Sequence, residues 1–390
     1  MRRLFLLLPL FLNASILSDI KNKEFSVDKQ KSIKEAKETK NSWINPIMLQ
    51  SSITKDTIQD VITTKKQISI SINQPIFKSG AIYYSIKYAK SLKEYNLVQI
   101  EIQRRALIKQ AYDFVYDYNI ALLNKKILNL QIDNAKIDVE RKKEAYLNGT
   151  GDSSQLDNAI LNLNSLKLSL EDMNSNLAQI EYSFKKLSNL DIKKVKLPYL
   201  RLISKNKFVG ENLDLKAQRE FARSNKYLYK INIGNSLVRI SLNGSYNYQE
   251  ITNKFQDNKN NYYTISLSAS LPIDINAKTR IEKSKLSYIK SKLLIEDTKN
   301  SLIQDYNLIL SQIKTLKRKL KIYDENIKIY DNLINTTQES IKAGNATLLD
   351  LKILKNSKMA AILNKRIVNL QIQKNLLNLY YKLVSFSNKE

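Results

Sequence analysis

The chain reads as a mostly helical protein with a small β part, built from one structural unit repeated twice. Two observations carry this reading. Short strands of strict polar/apolar alternation pass abruptly into very long helices, so the period of the pattern switches from 2 to about 3.5. The whole series of strand, Pro-Ile step, long helix, glycine break and shorter helix then occurs a second time. In the first pass the strand and step run from Gln67 to Ile76, and the break is Gly149-Thr150-Gly151-Asp152-Ser153-Ser154. In the second they run from Thr264 to Ile273, and the break is Gly344-Asn345-Ala346-Thr347. The span from Pro75 to Gly151 nearly matches that from Pro272 to Gly344, which marks duplication of one unit. Composition agrees: 7 glycines and 5 prolines in 390 residues leave little material for loops.

The elements follow in order. Residues 1–18 have the layout of a secretory signal peptide. Arg2 and Arg3 precede the apolar run Leu4 to Leu12, which is too short to span a bilayer, and Asn13-Ala14-Ser15 follows. Cleavage at Ala14, Ser15 or Ser18 is left open. Residues 19–190 form the first repeat. It opens with a short charged helix over 26–40, ended by Trp43-Ile44-Asn45-Pro46. A weakly alternating strand is expected at about 46–54, a polar turn over Lys55 to Asp60, and a strong strand at about 67–77. In the latter Ile68, Ile70 and Ile72 share one side and Ser69, Ser71 and Asn73 the other.

A helix over about 80–148 comes next, with 4-3 spacing through Leu107, Ala111, Phe114, Tyr118, Ala121, Leu128, Ile132, Ala135, Val139 and Tyr146. Sustained 3.5-residue spacing indicates coiled-coil packing. At 1.5 Å per residue such a helix is about 100 Å long. The return helix covers about 154–190. Residues 191–230 are an equatorial connector punctuated by Pro198 and Gly210, with a helix from Leu213 to Tyr229. Residues 231–390 repeat the plan, with strands at about 237–249 and 262–272, a polar loop between them over 251–261, and helices at about 276–343 and 347–386.

Four strands with Ile, Leu, Val and Tyr on one face match the length of tilted membrane strands. A soluble amphipathic sheet is the alternative for each strand taken singly, but there is no globular domain for these strands to cover. In lipid an open sheet leaves backbone groups unpaired, so four strands must close with others, and three copies supply a twelve-stranded barrel with a polar lumen. Ile68, Ile70, Ile72, Val238, Ile240, Ile265 and Leu267 are then the lipid-facing set. Tyr246, Tyr248, Tyr262 and Tyr263 sit where an aromatic girdle belongs. No later segment has the apolar length of a transmembrane helix.

The motifs resemble those of the TolC-like outer membrane efflux proteins, the outer membrane factors. They are Gln74-Pro75-Ile76-Phe77 with Gly80, Tyr146-Leu147-Asn148-Gly149 leading to Gly151-x-x-Ser154-x-x-Asp157, and Gly344-x-x-Thr347-x-x-Asp350-Leu351. The resemblance runs from about residue 27 to 386. It implies a homotrimeric exit duct in the cell outer membrane, with twelve strands in lipid and long coiled-coil helices forming a periplasmic α-barrel. Such a duct serves tripartite efflux or type I secretion and moves its cargo passively. It docks onto a periplasmic adaptor, or membrane fusion, protein and an inner-membrane pump of RND or ABC type. The resemblance assigns Gly149, Gly151, Ser154, Gly344 and Thr347 to the adaptor-contact tips. It assigns Asp157 and Asp350 to the periplasmic entrance. The chain also departs from the family: the second acidic position falls on Ile353, the lock arginine and tyrosine fall on Ala346 and Ile341, and the region before the first strand is short.

Other classes fit less well. There is no histidine, no cysteine, no GxSxG and no glycine-rich phosphate loop, so neither catalysis nor a bound cofactor or metal is expected. The absence of cysteine also removes disulfides and a lipid-modified N-terminal cysteine. The net charge of +27 is spread over solvated helix faces with no compact basic block, and nucleic acid is not an expected partner. A periplasmic or surface coiled-coil scaffold accounts for the heptads and the leader, but not for four alternating strands at matched positions of the repeat.

Overall fold

The computed structural model describes residues 16–386, so most of the leader expected over 1–18 lies outside the described residues. The elements are α1 (Asp19–Asn41), β1 (Met48–Ile58), β2 (Val61–Phe77), α2 (Ala81–Leu147), α3 (Ser153–Lys185), α4 (Lys205–Gly210), α5 (Leu213–Asn235), β3 (Arg239–Asn253), β4 (Gln256–Ser270), α6 (Ala277–Lys342) and α7 (Leu348–Tyr380). The fold is mostly helical with one small antiparallel sheet. α2 and α3 correspond in length to α6 and α7, at 67 and 33 residues against 66 and 33. Among the described residues no helix is long and apolar enough to cross a membrane.

Several bounds differ from the sequence reading. The charged helix begins at Asp19 and not at 26. α3 ends at Lys185, short of 190, and α7 ends at Tyr380, where a 3-10 turn over Val384–Phe386 takes over. The connector's helix runs on to Asn235. The strands are longer than the alternation indicates. β1 and β2 continue through the expected polar turn until only Gln59 and Asp60 separate them, and β3 and β4 continue through the expected polar loop until only Lys254 and Phe255 remain. The extra residues pair in unbroken register, Ile53↔Lys66 to Ile58↔Val61 and Glu250↔Lys259 to Asn253↔Gln256. A ladder nucleated by its apolar portion propagates by backbone hydrogen bonding, and where both faces meet water no alternation is required.

The chain divides into two compact units, and each takes a piece of both repeats. One holds Ser26–Glu101 and Asp214–Asn300. The other holds Ile102–Leu213, Ser301–Glu390 and the described part of Met1–Phe25.

In the first of these, the start of α2 packs on α5. Tyr84 stacks on Tyr227 with ring centroids 6.3 Å apart, Tyr95 meets Phe221 at 5.3 Å, and Ser91 Oγ donates to the Glu220 carbonyl at 3.0 Å. The sheet belongs to this unit, in the order β1-β2-β3-β4.

In the second, much of the expected seam on α2 is buried, at Ala111, Tyr118, Ala121, Leu128, Ile132 and Ala135, and α6 buries Leu302, Tyr306, Ile313 and Leu316 at similar spacing. Tyr112, Val115 and Tyr116 are buried too, although they lie off that seam. Tyr116 donates its hydroxyl to the Pro198 carbonyl (3.3 Å). The connector is strapped down in the same way by Tyr306 to Ile203 O (2.8 Å), Tyr380 to Arg201 O (2.8 Å) and a two-way amide contact between Gln373 and Leu200. Burial pushes the Tyr112 phenol up to about 12, so it stays protonated and apolar in character. Ile16 and Leu17 are also core residues, at 1% and 2% exposure, and the Ser18 amide donates to Leu187 O at 2.8 Å.

Candidate channel wall and helix tips

The sheet sorts its side chains by face. Opposed residues of an antiparallel pair point the same way, so the register fixes which residues share a side. Leu49, Ile70, Tyr246 and Tyr263 form one row, and Ile72, Gly244 and Ile265 the next. Leu242 with Leu267 and Ile240 with Ala269 continue it. Ile68, Ile70, Ile72, Ile240, Ile265 and Leu267 therefore stand together on one apolar face, and Val238 sits just before β3. Ile265 and Leu267 are 75% and 67% exposed within the chain. From Ile240 to Tyr248 the strand climbs about 27 Å at about 3.4 Å per residue, close to the apolar band of a membrane barrel once tilt is allowed for.

The other face carries Gln50, Ser52, Ser69, Ser71, Asn73, Ser241, Asn243, Ser245, Asn247, Thr264, Ser266 and Ser268. These groups cross-link between and along the strands: Asn243 Nδ2 donates to Ser268 Oγ (3.0 Å) and Asn247 Nδ2 to Ser245 Oγ (3.1 Å). Tyr262 is opposite Asn247 and so belongs to this polar face, not to the girdle expected from sequence. Neighbours on a strand point to opposite faces, so Tyr262 and Tyr263 cannot share one.

Gln74 explains the Gln-Pro step. Its Oε1 accepts from the Asn45 amide (3.0 Å) and its Nε2 donates to Trp43 O (3.0 Å), which pins the entry to β1 against β2. Pro75 has no amide hydrogen, and the ladder shifts register between Pro75 and Phe77 as β2 ends. The outer edges of β1 and β4 have no strand partner within the described residues.

In the other unit, the two helix–turn–helix tips have the same construction. α2 ends with Gly149 at φ +70° and α6 with Gly344 at φ +78°, the left-handed conformation that glycine adopts at least cost. Thr150 N and Gly151 N donate to Ala145 O (both 2.9 Å), and Asn345 N donates to Ser340 O (2.8 Å), closing the last carbonyls. At Gly151 a Cβ would lie 3.0–3.1 Å from Ala145 and the Tyr146 amide, so the turn packs against its own helix there. α3 is capped by Asp152. The Asp152 carboxylate accepts from Ser154 N (3.1 Å) and Ser154 Oγ (2.7 Å), bonds that hold its pKa below the ordinary value. α7 is capped by Thr347 in a capping box with Asp350.

Asp350 is the most heavily bonded of the candidate residues. Its Oδ2 accepts from the Thr347 hydroxyl (2.6 Å) and amide (2.9 Å), and its Oδ1 accepts from Arg141 Nη2 on α2 (2.6 Å). The Thr347 hydroxyl bond, then the Thr347 amide, then Arg141 hold the carboxyl at about 2. Asp157 is exposed in the second turn of α3 and takes no part in this cluster. Arg141 escaped sequence reading, because nothing in its spacing announces a partner some 200 residues away. Among the described residues there is no group of three or more His, Cys, Asp or Glu that could hold a metal ion.

With both halves of the site in view, residues 206–382 match the family model described as outer membrane efflux protein. That stretch, a little under half of the chain, is similar to this family. The fold matches too. The outer membrane protein VceC of Vibrio cholerae superimposes with a TM-score of 0.74 at 13% identity, covering 94% of each chain. The CmeC outer membrane channel of Campylobacter jejuni gives 0.76 at 15% identity, covering 97% of this chain and 86% of its own. The MtrE outer membrane channel of Neisseria gonorrhoeae, in its open state, gives 0.66 at 12%, covering 98% and 95%. No curated protein matches by sequence. The alternating sheet and the paired tips are the elements on which the sequence motifs fall.

Proposed function

We propose that the chain is the outer membrane exit duct of a tripartite efflux or type I secretion assembly, acting as a homotrimer that conducts its cargo passively and has no enzymatic role. The observation that carries this is the sheet. One face carries apolar side chains on all four strands, the other is mainly hydroxyl and amide, and both edges lack a strand partner among the described residues. In lipid each open backbone group costs several kcal/mol, so closure is compulsory, and three copies close twelve strands around a polar lumen. The helices support the same assembly. Leu161, Leu168 and Tyr182 on α3 and Leu308, Ile322 and Ile329 on α6 are exposed at intervals of seven or fourteen. Heptad stripes of this kind want partner helices, and neighbouring copies supply them.

The helical part would occupy the periplasm. The tips at Gly149, Gly151, Ser154, Gly344 and Thr347 would meet a periplasmic adaptor protein coupled to an inner-membrane pump of RND or ABC type. Ile68, Ile70, Ile72, Val238, Ile240, Ile265 and Leu267 would face lipid, and Asp157 and Asp350 would lie near the periplasmic entrance. A coiled-coil scaffold would leave the apolar face of the sheet in water. Light scattering in detergent tests the proposal together with planar-bilayer recording. Three chains per particle and stepwise conductance are expected; a water-soluble monomer from native membranes overturns it.

A further inference from the structure

Beyond the tyrosine row, the apolar face of the sheet turns charged within one step of the ladder. Lys66, Glu250 and Lys259 stand opposite one another on β2, β3 and β4, with Ile53 beside them on β1. Both ammonium groups reach the same carboxylate, one oxygen each: Lys66 Nζ lies 3.8 Å from Glu250 Oε2, and Lys259 Nζ lies 3.7 Å from Oε1. These are long contacts, and the lysine side chains are 56% and 59% exposed against 21% for Glu250. One carboxylate therefore positions two ammoniums and neutralises only one charge's worth. The next row toward the hairpins holds Lys55, Thr64, Thr252 and Asp257, where Asp257 accepts from the Thr252 hydroxyl at 3.2 Å. Together the two rows carry three lysines against two acids.

We propose that this row is a docking surface for phosphomonoester lipid headgroups in the leaflet that the hairpin ends enter. The inference rests on the reading that the apolar face meets lipid. Two ammoniums that flank one carboxylate from alternate strands offer a phosphate charge-assisted hydrogen bonds from either side. Their aliphatic stems lie along the apolar surface while the charged heads stay at the polar boundary. Continuity identifies the occupant as a lipid and not a free anion. The row just inside the charged one is Ser51, Ile68, Tyr248 and Asn261, followed by Leu49, Ile70, Tyr246 and Tyr263, so a headgroup on the lysines lays its acyl chain along Ile68, Ile70 and the tyrosines. Threefold repetition would give three such positions around the barrel.

The test reconstitutes the full-length trimer in phosphatidylcholine vesicles with and without phosphatidic acid, and counts bound phosphatidic acid per trimer by native mass spectrometry. Each lysine near a membrane surface is worth about fivefold in anionic-lipid occupancy. Lys66→Gln and Lys259→Gln should each lower occupancy by about that factor, and Glu250→Gln, which removes the competing carboxylate, should raise it. Inorganic phosphate in detergent should not displace the lipid. Unchanged occupancy in the double lysine variant overturns the proposal, as does full displacement by inorganic phosphate. Flotation of the wild type with pure phosphatidylcholine vesicles separates the layers of inference. If the protein fails to float, the barrel reading falls and this proposal with it. If it floats but shows no preference for phosphatidic acid, the lysine row alone falls.

Discussion

Arg141 on α2 and Asp350 on α7 form an ion pair of 2.6 Å that ties the end of one long helix to the first turn of another. The same carboxylate completes the Thr347 capping box, so one side chain both starts α7 and fastens it to α2. These bonds hold its pKa down to about 2. A depressed folded-state pKa means that the contribution is fully present above the unfolded carboxylate value and is lost as pH falls through about 2. The contact therefore stays intact across the physiological range.

Asp350→Asn should fray the start of α7 and release Arg141, raising hydrogen exchange at the amides of residues 348–352. Thr347→Ala should fray the same turn, at about 0.5–2 kcal/mol for a lost cap, but leave Arg141 paired. Single-channel recording then separates gating from capping. If Asp350 governs entrance selectivity, only Asp350→Asn weakens cation preference, and Thr347→Ala leaves it intact. Equal selectivity in both variants and wild type makes Asp350 a helix-end residue alone.

The faces of the sheet predict unequal sensitivity at adjacent positions. Ile70 is opposite Tyr246 on the apolar face, and Ser71 is opposite Ser245 on the polar one. An arginine at 70 near the bilayer midplane should cost about 2–4 kcal/mol, read as loss of heat-resistant trimer. Arginine at 71 should leave the trimer intact and change conductance. Equal loss of trimer in both variants rejects the face assignment.

At the tips, Gly344→Ala should destabilise by about 1–2 kcal/mol because φ is +78°. Asn tolerates that conformation better than other side chains, and no atom lies within 4 Å of a Cβ at this site. Gly344→Asn should accordingly restore trimer yield. If the tip meets a partner backbone closely, export stays impaired in that variant although trimer is present. Normal export by Gly344→Asn would show that the glycine serves folding only.

If residues 1–18 hold a cleaved leader, Ile16 and Leu17 predict where it is cut. Both are buried, and Ser18 is hydrogen-bonded to Leu187. Cleavage after Ser18 would remove two core side chains, so it should fall after Ala14 or Ser15. N-terminal sequencing of protein from membranes should begin at Ser15 or Ile16; a start at Asp19 rejects this.

How much of this could be read from sequence depended on where water lies. Ile68-x-Ile70-x-Ile72 was legible because one face is apolar and the other polar. Lys55 to Ile58, Ile251 to Asn253 and Gln256 to Asn261 looked like turn and loop because they are mostly polar and do not alternate, yet backbone pairing continues through them. The type I′ turn at Gln59-Asp60, with φ of 49° and 58°, lacks the Asn-Gly or Asp-Gly signal that usually announces it. Gly149 and Gly344 were legible as breaks because helix ends need left-handed residues. The partners of Asp350 were legible only in part: Thr347 lies three residues away, but Arg141 meets it through tertiary packing alone.

The hairpin turns have a consequence for what the cell shows to the outside. If the sheet stands in the outer membrane with its helices below, each chain ends outward in two turns of two residues, Gln59-Asp60 and Lys254-Phe255. A phage tail or an antibody usually grips a protruding loop, and here each turn closes directly on paired strands with no loop between them. The same brevity keeps either turn from plugging the mouth, since two residues cannot fold back over an opening. Any valve in such a duct therefore has to be built at its inner end.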